Sequence, residues 1–134
     1  MATLLQALAN AGVASLGEFQ AAAVAASRGP DAFAATGRAY VRWALANPAL
    51  FRLTFSQRDR AWRDIFGDNL AGNMLEAMAS ETTRGDPAAI ERVMVQAWSL
   101  VHGLAMLMLD DQLPADDAPI DRVIDIRTLF PPPR

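Results

Sequence analysis

The chain has 134 residues and a net charge of −3, and its twelve basic residues are all arginine. The absence of cysteine excludes disulfides and thiolate metal sites, and the lack of lysine in an acidic chain argues against a broad polycationic face for nucleic acid. A hydrophobic content of 52% is high for a soluble monomer and suits a single domain that buries extra surface in an oligomer.

Residues 2–27 carry Leu4, Leu5, Leu8, Leu16, Phe19 and Ala23 at steps of three and four. This predicts a long amphipathic helix, with Gly12 and Gly17 as weak points. No basic n-region opens the chain, so no signal peptide is read and the cytoplasm is the default location. Ser27-Arg28-Gly29 should end that helix. Pro30 and Asp31 should open a second, with Phe33, Tyr40, Val41, Ala44 and Leu45 apolar and Arg38 and Arg42 on its polar side. Asn47-Pro48 stops it and caps a short third helix bearing Leu50, Phe51, Leu53 and Phe55. A charged turn, 57–60, precedes a fourth helix expected over about 59–83, with Trp62, Ile65, Phe66, Leu70, Met74, Leu75 and Met78. Gly67 and Gly72 are placed to kink or interrupt it, and Arg84-Gly85 reads as its C-cap.

The stretch 86–111 is the most apolar and the one around which the rest is arranged. Asp86 reads as an N-cap whose carboxylate accepts from a free backbone N–H, and Pro87 as the first helical position. Between Val93 and Leu109 there is no charge. Ile90, Met94, Ala97, Val101, Leu104 and Met108 follow one face, and Val93, Trp98, Ala105 and Leu109 point elsewhere. Arg92, Gln96, Ser99 and His102 leave only a narrow polar strip, which predicts burial on most sides. A membrane span is the rival reading. Gln96, Ser99 and His102 interrupt it, two aspartates end it and no basic flank adjoins it, so no membrane is expected. A second subunit is the natural cover for any face left over. An acidic loop, 113–117, leads to a last helix opened by Pro119, with Ile120, Val123, Ile124 and Leu129, and Pro131 to Pro133 end regular structure. No strand pattern or repeat appears. The expected fold is all-α, a single orthogonal or antiparallel bundle of about six helices over residues 1–130, with a proline-rich tail at 131–134.

Few residues point to chemistry. His102 is the only histidine, with Ser99 three residues before it. A nucleophile–base pair would need an elbow, an oxyanion loop and an orienting carboxylate, none of which is recognisable. A histidine at a core or pocket wall is the better reading, and no enzyme is expected. Asp110-Asp111 and Asp116-Asp117 match no cation loop and read as an acidic turn capping the last helix. No metal or cofactor is expected. Arg58, Arg60 and Arg63 read as a solvated helix start. The aromatics carry more weight. Trp43, Phe51, Phe55, Trp62, Phe66 and Trp98 fall on four helices, and with Met74 and Met78 they are candidate walls of an apolar cavity to which Tyr40 and His102 add polar contacts. Any one of them alone is better read as core packing.

Three segments taken together carry a family likeness: AWSLVHGLAMLML with Trp98, His102 and Gly103, the run GRAYVRWALANPALFRLTF over 37–55, and the start ATLLQALANAG. The chain resembles the C-terminal domain of TetR/AcrR-type transcriptional regulators, in the subgroup named for its Trp-His-Gly motif. The likeness spans nearly the whole chain and rests on the order and spacing of these segments. It implies an effector-binding and dimerisation domain of a bacterial regulator, consistent with alanine-rich, arginine-for-lysine usage. It implies a homodimer in which the last two helices, 87–110 and 119–130, pair with their two-fold mates as a four-helix interface. The candidate interface residues are then Val101, Leu104, Met108, Ile120, Val123 and Ile124. A small, largely apolar effector would occupy the cavity. DNA would be reached through a helix-turn-helix head of roughly fifty residues that docks in the major groove. No match to that head is present in this sequence, so the chain alone is not expected to bind DNA. The alternative from another class is a stand-alone helical dimer that binds a hydrophobic small molecule without regulating DNA.

Overall fold

A computed structural model describes residues 3–27, 31–56, 60–125 and 127. Among the described residues the chain forms seven helices: α1 (Leu4–Ala25), α2 (Asp31–Ala46), α3 (Pro48–Phe55), α4 (Trp62–Ile65), α5 (Leu70–Thr83), α6 (Pro87–Leu109) and α7 (Asp117–Val123). No strand occurs among them, so the all-α bundle stands. Arg28, Gly29 and Pro30 of the first turn, residues 57–59 with Arg58, the end of the last helix with Leu129 and Phe130, and the proline tail lie outside the described residues.

Helix α1 starts at a reciprocal cap. The Thr3 hydroxyl accepts from the Gln6 N–H at 3.1 Å, and the Gln6 side chain accepts from the Thr3 N–H at 2.9 Å, so two otherwise orphaned donors are satisfied. Its inward stripe differs from the expected one. Ala9, Gly12, Val13, Leu16 and Gly17 are buried, whereas Leu4, Leu5, Leu8 and Phe19 are exposed. The two glycines are not weak points but places of close approach. A Cβ on Gly12 would overlap the Thr54 hydroxyl of α3, and one on Gly17 would stand 3.0 Å from the Ala71 backbone nitrogen of α5. Small residues let α1 lie directly on α3 and α5 while its next turn packs α2.

The α2–α3 corner follows the sequence. Pro48 occupies the first turn of α3, where its missing N–H costs nothing, and the Asn47 amide donates to the Trp43 carbonyl at 3.0 Å, closing the end of α2. The single fourth helix expected over 59–83 is two helices, α4 and α5. Gly67 lies within the break, and Asn69 satisfies both ends. Its amide nitrogen donates to the Ile65 carbonyl at 2.6 Å, and its Oδ1 accepts from the Gly72 N–H at 2.8 Å. Gly72 must be small, because a Cβ there would overlap the Phe66 carbonyl. Helix α5 ends as expected, with Arg84 left-handed at φ 57° and the Gly85 N–H donating to the Ser80 carbonyl at 3.0 Å.

Helix α6 begins at Asp86, but the carboxylate makes no capping bond. Nor is α6 buried on most sides. Seven of its 23 residues are buried, along the stripe that meets α2 and α5, while Gln96, Ser99 and Leu107 are exposed. By length and composition alone Pro87–Leu109 could cross a membrane; in this fold it is a core helix with one open face. Helix α7 starts at Asp117 rather than at Pro119, because the Asp116 carboxylate caps it by accepting from the Ala118 N–H at 3.1 Å.

The main core gathers α1, α2, α3, α6 and α7 around Leu16, Val41, Trp43, Phe51 and Met108. A smaller one, built on Ala79, Val93 and Met94, joins α5 to the first half of α6. Val101, Leu104, Met108, Ile120 and Ile124, expected at a subunit interface, are instead buried in this chain's own core, and Val123 is partly buried against it. Helix α7 packs on α2 with Ile120 and the following Ile124 pointing inward, and Arg42 of α2 pairs with Asp117 at 3.1 Å and Arg38 with Asp121 at 3.5 Å at the exposed edge of that contact.

Candidate functional site

Where α2, α3 and α6 converge, six rings meet. Phe55, at the end of α3, is the centre. Its ring lies 5.6 Å from Tyr40, 5.3 Å from Phe51, 5.9 Å from Phe66, 6.1 Å from Trp98 and 5.6 Å from His102. The tightest edge-to-face pair is Phe66 against Trp98, 5.1 Å apart at 78°. Offset and edge-on pairs of this kind contribute roughly 0.5–1.5 kcal/mol each beyond their buried area. The helical spacing of Trp98 and His102 on α6 turns both side chains to this cluster, with Tyr40 of α2 between them.

Tyr40 is the polar hub. The Trp98 indole N–H donates to its hydroxyl at 3.0 Å, and the hydroxyl lies 2.9 Å from His102 Nδ1. Burial drives the Tyr40 pKa far above that of a free phenol, with the Trp98 bond opposing only in part, so its proton stays on. Burial also lowers the His102 pKa, favouring neutral imidazole. A neutral ring has one accepting nitrogen. Tyr40 accepts from Trp98 and has one proton to give, so Tyr40 donates to Nδ1 and the histidine carries its proton on Nε2. The network positions three side chains. Ser99 is exposed, and His102 Nδ1 is taken up by Tyr40.

Beside the cluster is a cavity of about 40 Å³ between α1, α2, α5 and α6. Of the residues singled out in the sequence, Tyr40, Phe66, Met74 and Trp98 line it. Phe51, Phe55 and His102 instead face a shallow depression of about 300 Å³ on the far side of the rings, with Arg52 and Met106. Trp62 faces a third, of about 530 Å³, shared with Phe66, Arg63 and Glu91. Met78 is not among the residues lining the cavity; its sulfur lies 3.8 Å from the hydroxyl of Thr36, which does line it. Trp43 belongs elsewhere, fully buried with its indole N–H donating to Ser15 of α1 at 3.1 Å.

As cavity residues, sequence reading missed Gln20, Phe33, Thr36, Gly37, Ala71, Leu75 and Ala97, and it assigned Val101 to a subunit interface; together these complete the cavity wall. Gln20 had a legible signal, since it continues the stripe Gly12, Val13, Leu16 and Gly17 one turn further and is polar where its neighbours are apolar. Its amide nitrogen donates to the Thr36 carbonyl at 3.1 Å. Its Oε1 is buried and has no hydrogen-bond partner among the described residues.

The charged clusters serve structure. Asp110 pairs with Arg52 at 2.8 Å, Asp117 with Arg42, and Asp116 caps α7. Arg63 pairs with Glu91 at 2.5 Å and lies over the Trp62 ring at 5.0 Å, and Arg60 donates to the Asp64 carbonyl at 2.9 Å. Among the described residues no three His, Cys, Asp or Glu side chains converge as a metal site would require.

In comparison with known proteins, the family model described as "Tetracyclin repressor-like, C-terminal domain" matches residues 33–127, from the first turn of α2 through the last described residue. Neither the curated proteins nor the solved structures contain a match.

Proposed function

The chain belongs to the family of tetracyclin repressor-like C-terminal domains, and on that premise we propose that it is the effector-sensing and dimerising domain of a bacterial TetR-type transcriptional regulator, spanning residues 1–130. The observation that carries this reading is the cavity between α1, α2, α5 and α6, walled by Tyr40, Phe66, Met74 and Trp98. At about 40 Å³ it holds a few waters, well short of the roughly 300 Å³ of an ordinary small-molecule site. An effector therefore enters by parting the walls. Gln20 puts α1 in that wall, so a ligand that fits only the opened cavity biases the position of α1. In the regulator, α1 passes this bias to a DNA-binding head, and the cytoplasm is where the chain meets its operator.

Dimerisation uses the face of α6 that this chain leaves open, around Leu100, Gly103 and Leu107. Leu107 is 46% exposed, and a Cβ on Gly103 would meet nothing within the chain, so a second helix can approach closely there. Two-fold pairing would set the same patch against itself.

The test is thermal stabilisation by small neutral aromatics. A ligand that binds only the folded state raises the melting temperature by mass action. Trp98→Ala, at the cavity wall, should abolish most of the shift, whereas Trp43→Ala, whose indole faces Ser15, should lower the starting stability and keep the shift. Equal losses from both would refute the cavity as the effector site.

A further inference from the structure

We propose, resting on the reading of this cavity as the effector site, that the effector is a neutral, largely aromatic molecule with a hydrogen-bond donor, recognised by Gln20 Oε1. The orientation of the Gln20 amide follows from its partner. The Thr36 carbonyl can only accept, so the amide nitrogen faces it at 3.1 Å and Oε1 is turned away. That oxygen is buried without a partner among the described residues, on a side chain that lines the cavity. A buried acceptor left unpaired is a standing cost that a matching donor removes.

The remaining polar groups of the wall cannot replace it. The Trp98 N–H is spent on Tyr40, and the Tyr40 hydroxyl on His102. The Thr36 hydroxyl donates to the Phe33 carbonyl at 2.6 Å. The other side-chain donors of the wall are thus committed; the Gln20 amide nitrogen keeps one N–H beyond its bond to Thr36, and Oε1 is the acceptor left with no partner among the described residues. A ligand whose only polar atoms are acceptors, such as an ether, an ester or a ketone, leaves Oε1 unpaired. No charged residue lines the cavity, so a cationic donor would be buried without a counter-charge. The class that fits is the neutral donor on an apolar ring, such as a phenol, an aniline or an indole.

The experiment compares indole with indene, which has the same shape with CH2 in place of N–H. Calorimetric titration of the full chain with each gives the two Kd values, and competition between them establishes a shared site. Indole should bind tighter by on the order of tenfold, the usual consequence of leaving one buried acceptor unpaired. In Gln20→Met, which keeps the side-chain length and removes the acceptor, the two should bind alike. Equal affinities in the wild type would overturn the donor requirement and leave the cavity intact as an apolar site. A preference for indole that survives Gln20→Met would overturn the assignment to Gln20. Binding of neither at millimolar concentration would overturn the cavity itself as a ligand site, and this proposal with it.

Discussion

Replacing Gly12 with alanine is expected to destabilise the chain, although alanine is the better helix former. Gly12 is buried where α1 crosses α3. A Cβ there would overlap the Thr54 hydroxyl and stand 3.3 Å from Thr54 Cβ and 3.4 Å from Leu50 Cδ1. Thr54 cannot swing away, being fully buried with its hydroxyl donating to the Leu50 carbonyl at 2.7 Å. Forcing a methyl group into such a contact costs about 1–3 kcal/mol, and the gain in helix propensity returns about 0.5–1 kcal/mol. The net loss should be about 1–2 kcal/mol. Thr54→Ala alone loses a hydrogen bond and a methyl group, again about 1–2 kcal/mol. The double variant removes the overlap, so its loss should fall short of the sum by about 1–2 kcal/mol. Urea denaturation of the four proteins at one fixed protomer concentration, with unchanged m-values, supplies the cycle. A Gly12→Ala protein as stable as the wild type, or a cycle additive within about 0.5 kcal/mol, would refute the close-approach account of this glycine.

Two further outcomes follow from burial. Leu107→Arg, on the open face of α6, should shift the sedimenting species from dimer to monomer with helicity retained, whereas Met108→Arg, 1% exposed in the core, should unfold the chain by burying an unpaired charge; a wild type that sediments as a clean monomer at micromolar concentration refutes the dimer. Because burial lowers the His102 pKa below its unfolded value of 6.5, the unfolded chain takes up the proton more readily, so this contribution to stability is fully present above about pH 6.5 and is lost as the pH falls below it. His102→Phe should flatten the melting temperature between about pH 8 and pH 5, and an unchanged slope in that variant would show that another group is responsible.

How much was legible in the sequence varies by element. Asn47-Pro48 marked the α2–α3 corner, Arg84-Gly85 the end of α5 and Asp86-Pro87 the start of α6, because caps and breakers act within a turn or two of themselves. The helical period of α6 gave its buried stripe, with Met94, Val101, Leu104 and Met108 all inward. Of the aromatics read together in the sequence, Tyr40, Phe51, Phe55, Phe66, Trp98 and His102 meet, whereas Trp43 and Trp62 lie elsewhere.

What only the tertiary structure decided is direction and distance. Periodicity ranks positions by apolarity, so in α1 it chose Leu4, Leu5 and Leu8. The core chose Ala9, Gly12 and Gly17, because α3 and α5 approach too closely for larger side chains. Trp43 and Trp98 look alike in the sequence, yet the crossing of α2 over α1 sends one to Ser15 and the other to the cavity. The packing of α7 on α2 buries Ile120 and Ile124 in this chain's core, and the face of α6 left open carries Leu100, Gly103 and Leu107. Gln20 became a recognition candidate only once the Thr36 carbonyl oriented its amide. Each of these outcomes depends on a partner far away in the chain, and no local pattern encodes which partner arrives or how near it comes.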